Sequence, residues 1–224
     1  MKKVILFLTM CLMALPVKAD EGMWFLMFIE RLNHRDMEKM GLQLTAEEIY
    51  SINNHSLKDA IVQFNGGCTA EIISKDGLVL TNHHCGYDAI AELSTAEKNH
   101  LKNGFWAKTK NDELTNPGLT AMRIVRIDDV TKAVLMGASS KSDQAVIQAN
   151  IKKLCAAAIV GTHYEAEIKP FNFGNHFYII VKEVFKDVRL VGTPPNSIGK
   201  FGGDTDNWVW PRHTGDFSVF RIYA

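Results

Sequence analysis

The alternation of hydrophobic and polar positions changes period several times along the chain, and each change marks an element. Residues 20–39 open with acidic side chains, continue through an apolar run and end in mixed charges, which predicts a helix stopped by Gly41. Thr45 followed by Glu48 has the spacing of a capping box and predicts a helical turn or two. Over residues 62–81 β-branched and aromatic residues surround Asp76-Gly77, a strong two-residue hairpin signal. With that turn Lys75 faces Leu78, Ser74 faces Val79, and Cys68 falls opposite Cys85. Residues 94–110 read as a capped helix followed by an aromatic turn, 119–131 as a strand, and 140–158 as a helix capped by Ser140 or Ser142. One or two strands over 176–195 end at Pro194-Pro195. A Gly-, Asp- and Trp-rich loop then leads to a last alternating strand, FSVFRIYA, which runs to Ala224 without a turn, cap or tail. A strand needs neighbours on its edges and over its face, so the sequence reads as a fragment.

Composition narrows the class. With 46% hydrophobic residues in 224, a substantial core is available, in one large domain or two small ones. Basic and acidic residues balance at 25 each, with no basic block, which argues against nucleic acid or an anionic membrane surface as the main partner.

The first twenty residues, MKKVILFLTMCLMALPVKAD, carry a Lys2-Lys3 start, an apolar stretch too short to span a bilayer comfortably, and Val17-Lys18-Ala19 as a cleavage site. The expectation is a signal peptide over 1–19, export to the periplasm or beyond, and no membrane contact after its removal. Cys11 leaves with the signal, so Cys68, Cys85 and Cys155 remain, and an oxidising compartment favours one pair and one odd thiol. The hairpin places Cys68 and Cys85 at its open end, within the roughly 5.5 Å between Cα atoms that a bridge needs. Two unpaired buried thiols are the alternative.

The stretch GLVLTNHHCGYD, residues 77–88, concentrates the candidate chemistry. His83, His84 and Cys85 are metal-ligand types, but neighbours in sequence project in different directions, and structural zinc sites prefer spaced pairs. No second pair with such spacing occurs, and the expectation is no metal and no cofactor. A buried structural histidine is the other plain reading. A strand, a small polar residue, His and Cys together point further. The motif LVLTNHHCG resembles the TAAHC corner of chymotrypsin-like serine proteases, in which the histidine preceding the cysteine is catalytic; His84 takes that place. The doubled histidine, the helical N-terminus and GGDTDNWVWPRHTGDFSVFR resemble the bacterial dipeptidyl-peptidase 7 and dipeptidyl-peptidase 11 family, exported serine exopeptidases of Gram-negative bacteria.

A serine nucleophile needs a histidine base, and that histidine needs a carboxylate on its other nitrogen. Asp204, Asp206 and Asp216 are available. Asp216 begins an alternating strand with a fixed backbone, and the resemblance also selects it. The resemblance further assigns Asn207 and Trp208 to the substrate's free amino terminus, since an amide oxygen can accept from an ammonium and an indole face can hold it. It implies a mainly β fold with helical decorations. On this reading residues 20–224 form the N-terminal half of a trypsin-like peptidase domain, the first barrel of a chymotrypsin-like pair, truncated before the second. No G-x-S-x-G or GDSGG-like segment occurs. The expected function is thus a serine dipeptidyl-peptidase acting on peptide substrates when full length, with the serine absent here and the fragment inactive. A homodimer stays open for the full-length protein. Rival readings are an exported non-catalytic β-rich binding domain and a trypsin-like endopeptidase.

Overall fold

The computed structural model describes residues 24–140, 143–199 and 215–223. The signal segment and the candidates Asp204, Asp206, Asn207 and Trp208 lie outside them. The chain divides into two compact units, 1–43 and 44–224. In the first, the expected helix is present in pieces, a 3-10 turn at Leu26–Phe28 and α-helices at Ile29–Leu32 and His34–Lys39. Gly41 follows at φ +106°, a conformation other residues avoid.

The second unit is built on a ten-stranded sheet whose pairings are all antiparallel. Its strands are β1 (Ile61–Phe64), β2 (Cys68–Ile72), β3 (Leu78–Thr81), β4 (Phe105–Trp106), β5 (Leu114–Thr115), β6 (Ala121–Asp129), β7 (Glu165–Phe171), β8 (His176–Phe185), β9 (Asp187–Thr193) and β10 (Ser218–Tyr223). They run in the order β4-β9-β10-β3-β2-β1-β6-β8-β7, with β5 also on β9. The sheet is not closed among the described residues, so the first barrel expected from the sequence is present as an open sheet. β10 lies inside it, bonded to β9 on one side and β3 on the other. Its alternation resolves as expected, with Ser218, Phe220 and Ile222 facing inward. Phe64 and Phe220 meet at 4.8 Å in a core completed by Val62, Val79, Ile90 and Leu190. A second cluster forms where the helix Gln144–Ala158 lays Ile147 against Val134 and Phe177.

Several expectations need correction. Asp76-Gly77 is not a two-residue turn. Ile72 pairs with Val79 and Glu71 with Leu80, and the Ile73 amide donates to the Leu78 carbonyl at 2.8 Å. The loop is therefore four residues, 74–77, with Gly77 at φ +72° and the Ser74 hydroxyl accepting from the Leu78 amide. Asp143, not Ser140 or Ser142, caps the long helix, accepting from the Val146 amide at 3.5 Å. Within 94–110, read as a capped helix followed by an aromatic turn, the α-helix is the single turn His100–Asn103, ended by Gly104 at φ +73°. Thr45 and Glu48 do form the reciprocal capping box.

The candidate functional site

The site is assembled at the end of β3, where the chain turns into the helix His83–Glu92. That helix went unread in the sequence, which placed His84 and Cys85 at a strand end. Asn82, a residue type favoured at N-caps, takes that position in extended conformation, but its side chain makes no capping hydrogen bond. Its side chain instead reaches Asp216, Nδ2 donating to the backbone carbonyl at 3.1 Å and to Oδ2 at 3.3 Å. The Ser218 hydroxyl donates to the Asn82 carbonyl at 2.9 Å. Because Ser218 pairs with Thr81 in the β10–β3 register, the residues just before β10 lie beside the first turn of the helix. Asp216 thus reaches His84 across 132 positions of sequence.

The contact is twofold. Asp216 Oδ2 lies 2.7 Å from His84 Nδ1, and Oδ1 accepts from the His84 backbone N–H at 3.0 Å. The carboxylate is nearly enclosed, with 6% of its side chain exposed, whereas the imidazole is 49% exposed. Burial alone pushes the Asp216 carboxyl up. The His84 backbone N–H, the imidazole and its charge, and the His83 N–H together outweigh that and hold it below the ordinary carboxylate range. An imidazole held this way has Nδ1 committed as a donor and Nε2 open to take up a proton.

The two histidines differ completely in setting. His83 is fully buried, its Nδ1 3.0 Å from the Thr193 hydroxyl and its Nε2 2.7 Å from Asn196 Oδ1. Nε2–H donates to the amide oxygen, and Nδ1 shares the Thr193 hydroxyl with the Pro194 carbonyl, to which that hydroxyl donates at 3.2 Å. Gly199 lies against that ring, where a Cβ would stand 2.6 Å from it. Thr193, Asn196 and Asn82 are contributions the sequence reading did not identify; a polar residue just ahead of the paired histidines was the one available signal.

Cys85 follows in the same turn and is joined to Cys68 of β2, with Cα atoms 6.0 Å apart. The bridge ties helix to strand instead of closing the mouth of a ladder. Its sulfur is accordingly not a free thiolate, and among the described residues no group of three or more His, Cys, Asp or Glu side chains is gathered as for a metal. Cys155 is unpaired among the described residues, and burial pushes its thiol up. An open cleft of about 440 Å³ fronts His84, walled by the bridge, Thr69, Glu71, Leu80 and Phe217.

Fold and site define an antiparallel-β protein in which a buried carboxylate orients a half-exposed imidazole beside a disulfide. The chain belongs to the Peptidase S46 family, which matches residues 19–224. It is 59% identical to a dipeptidyl-peptidase 7 of Capnocytophaga gingivalis over the whole of this chain and 32% of that protein. To an Asp/Glu-specific dipeptidyl-peptidase of the same organism it is 53% identical, over 91% of this chain and 29% of that one. A crystal structure of Porphyromonas endodontalis DPP11 superposes with a TM-score of 0.81 at 49% identity, over 92% of this chain and 30% of the other. That protein has also been solved with the dipeptides Arg-Glu and Arg-Asp. The chain spans about a third of the length of these relatives.

Proposed function

We propose that these 224 residues carry the base and its orienting acid in a serine-type dipeptidyl-peptidase, which releases dipeptides from the free N-termini of peptides. The observation that carries the reading is the buried Asp216 carboxylate on His84 Nδ1, with the half-exposed ring lining an open cleft. His84 is the general base: with Nδ1–H donated to Asp216, the Nε2 lone pair takes the proton of a serine hydroxyl as it attacks the scissile carbonyl. The resulting imidazolium, stabilised by Asp216, then returns the proton to the leaving amine. The nucleophile is assigned to the part of the full-length protein outside this sequence, because no glycine-flanked serine motif occurs within it. Asn207 and Trp208 hold the substrate ammonium, a role that rests on the sequence resemblance and on the affinity of amide oxygens and indole faces for cations.

The protein is exported through residues 1–19 and works in the periplasm or outside the cell, a setting with which the Cys68–Cys85 bridge is compatible. The test is a protein of the relatives' length, incubated with free and N-acetylated peptides. Dipeptides should leave only the free ones, His84→Ala should abolish release, and the 224-residue chain alone should be inactive. Cleavage of the acetylated peptides would replace this reading with that of an endopeptidase.

A further inference from the structure

The helix that carries His84 starts without its own cap residue. Its first-turn N–H groups go to Asp216 instead: Oδ1 accepts from the His84 amide at 3.0 Å, and the His83 N–H acts on the same carboxylate. An N-cap side chain ordinarily accepts from such a first-turn amide, so Asp216 holds the place that Asn82 would fill. The Asn82 amide is thereby released for another task. Its Nδ2 lies 3.1 Å from the Asp216 carbonyl oxygen and 3.3 Å from Oδ2. Both partners only accept, so the NH2 end of the amide must face them; turned over, Oδ1 would meet two oxygens. The NH2 has two hydrogens, one for each acceptor. Of the residue types favoured at N-caps, Asn is the one that brings an NH2.

Asn82 is itself anchored. Its carbonyl accepts from the Gly86 amide at 3.2 Å and from the Ser218 hydroxyl at 2.9 Å. Side chain and carbonyl thus hold the chain at 216 and at 218, on either side of Phe217. Within Asp216 the two contacts span the backbone carbonyl and Oδ2, which ties down the side-chain torsions between them. Oδ2 is also the oxygen that faces His84 Nδ1, at 2.7 Å. A carboxylate free to turn about its Cβ–Cγ bond would draw Oδ2 off the ring nitrogen, and the tautomer with Nε2 open depends on that contact. Resting on the peptidase reading, we propose that Asn82 is a positioning residue of the catalytic pair, holding Asp216 Oδ2 against His84 Nδ1 and so keeping the base in its working tautomer.

The test uses the protein of the relatives' length with dipeptidyl-coumarin amides carrying an apolar or an acidic second residue. Two roles for Asn82 give different orders. As a helix cap alone, Asp or Ser would serve about as well as Asn, and Asn82→Ala alone would suffer. As the donor to Asp216, none of the three replaces it. Asn82→Ala and Asn82→Ser should lose about five- to thirty-fold in kcat, with KM within about two-fold of wild type. Asn82→Asp, equal in size, should lose more than either, because a second carboxylate then faces Oδ2. It should also move the acid limb of kcat/KM to higher pH by about one unit, since the added charge favours the imidazolium. Glu71 on β2 and Asp216, the acidic side chains that line the cleft with His84 among the described residues, are the same in every variant. Wild-type kcat and an unmoved acid limb in Asn82→Asp overturn the assignment, and so does a loss confined to Asn82→Ala. A wild type that releases no coumarin overturns the peptidase reading instead. Carbethoxylation of His84 by diethyl pyrocarbonate, followed against pH by peptide mapping, then still judges Asn82: the same upward shift in Asn82→Asp supports the coupling, and no shift overturns it.

Discussion

Asp216 holds His84 by two atoms of each residue, Oδ2 against Nδ1 at 2.7 Å and Oδ1 against the backbone N–H at 3.0 Å. The second contact fixes the helix backbone, and the first fixes the ring and its tautomer. Asp216→Asn separates the two. An amide oxygen still accepts from the backbone N–H, but its NH2 donates to Nδ1 and drives the ring proton to Nε2. The proposed base is then blocked. In the full-length protein kcat should fall by about 10³ to 10⁴, with the protein still folded at assay temperature. A loss below ten-fold would remove Asp216 from the proposed triad.

The same carboxylate sets an acid limit. Its folded pKa lies below the unfolded value, which is about 3.9. The stabilisation is complete above that value and is lost as pH falls through the lower folded value. Urea unfolding at a series of pH values below 5 should show wild type losing stability more steeply than Asp216→Asn. Parallel curves would show that the contact carries no net pH linkage.

His83 and His84 should fail in different assays. His84→Ala removes a half-exposed ring and should eliminate turnover. His83→Ala takes one partner from the buried Thr193 hydroxyl and one from the Asn196 amide oxygen and leaves a cavity, and should cost about 2–4 kcal/mol of folding. Thermal melts and turnover measured on both variants decide this. Equal, small effects on both would contradict the division of roles.

What the sequence made legible follows from locality. The last strand announces itself by alternation, and the Thr45 box by a three-residue spacing; both depend on near neighbours. The hairpin turn was found but shifted, because Asp-Gly fits a two-residue turn and a four-residue loop ending in Gly77 almost equally well. Helix His83–Glu92 was hidden because what fixes its start is tertiary: Asn82 spends its side chain on Asp216 and its carbonyl on Ser218. β7 was missed because it holds Pro170, which an edge strand tolerates. The roles of Thr193 and Asn196 span 110 and 113 positions and leave no local trace.

The bridge closes a separation of 17 residues and joins β2 to the turn bearing His84. Cys68→Ala with Cys85→Ala should lower stability by about 3 kcal/mol in the chain-entropy account. Thiol titration of the denatured, unreduced protein from residue 20 to 224 should count one thiol, Cys155. In the native state that thiol should react slowly, because burial raises its pKa. A count of three would mean that the bridge does not form in solution.

Gly86 is where helix and strand touch. A Cβ there would stand 2.7 Å from the Ser218 hydroxyl oxygen and 3.0 Å from the Phe220 ring, both fully buried. Alanine is favoured over glycine inside a helix by about 1 kcal/mol, so propensity alone predicts that Gly86→Ala stabilises. Packing predicts the reverse. Ser218 cannot retreat without breaking its hydrogen bond to the Asn82 carbonyl, and Phe220 is wedged against Phe64. The helix must lift instead, carrying His84 away from Asp216. The contact should win, with a net loss of about 1–3 kcal/mol and, in the full-length protein, a fall in kcat larger than any change in KM. Adding Ser218→Gly should restore part of both by removing the nearer clash. A Gly86→Ala protein that melts at or above wild type would show that the helix floats free of β10, and that the positioning of His84 rests on the disulfide and Asp216 alone.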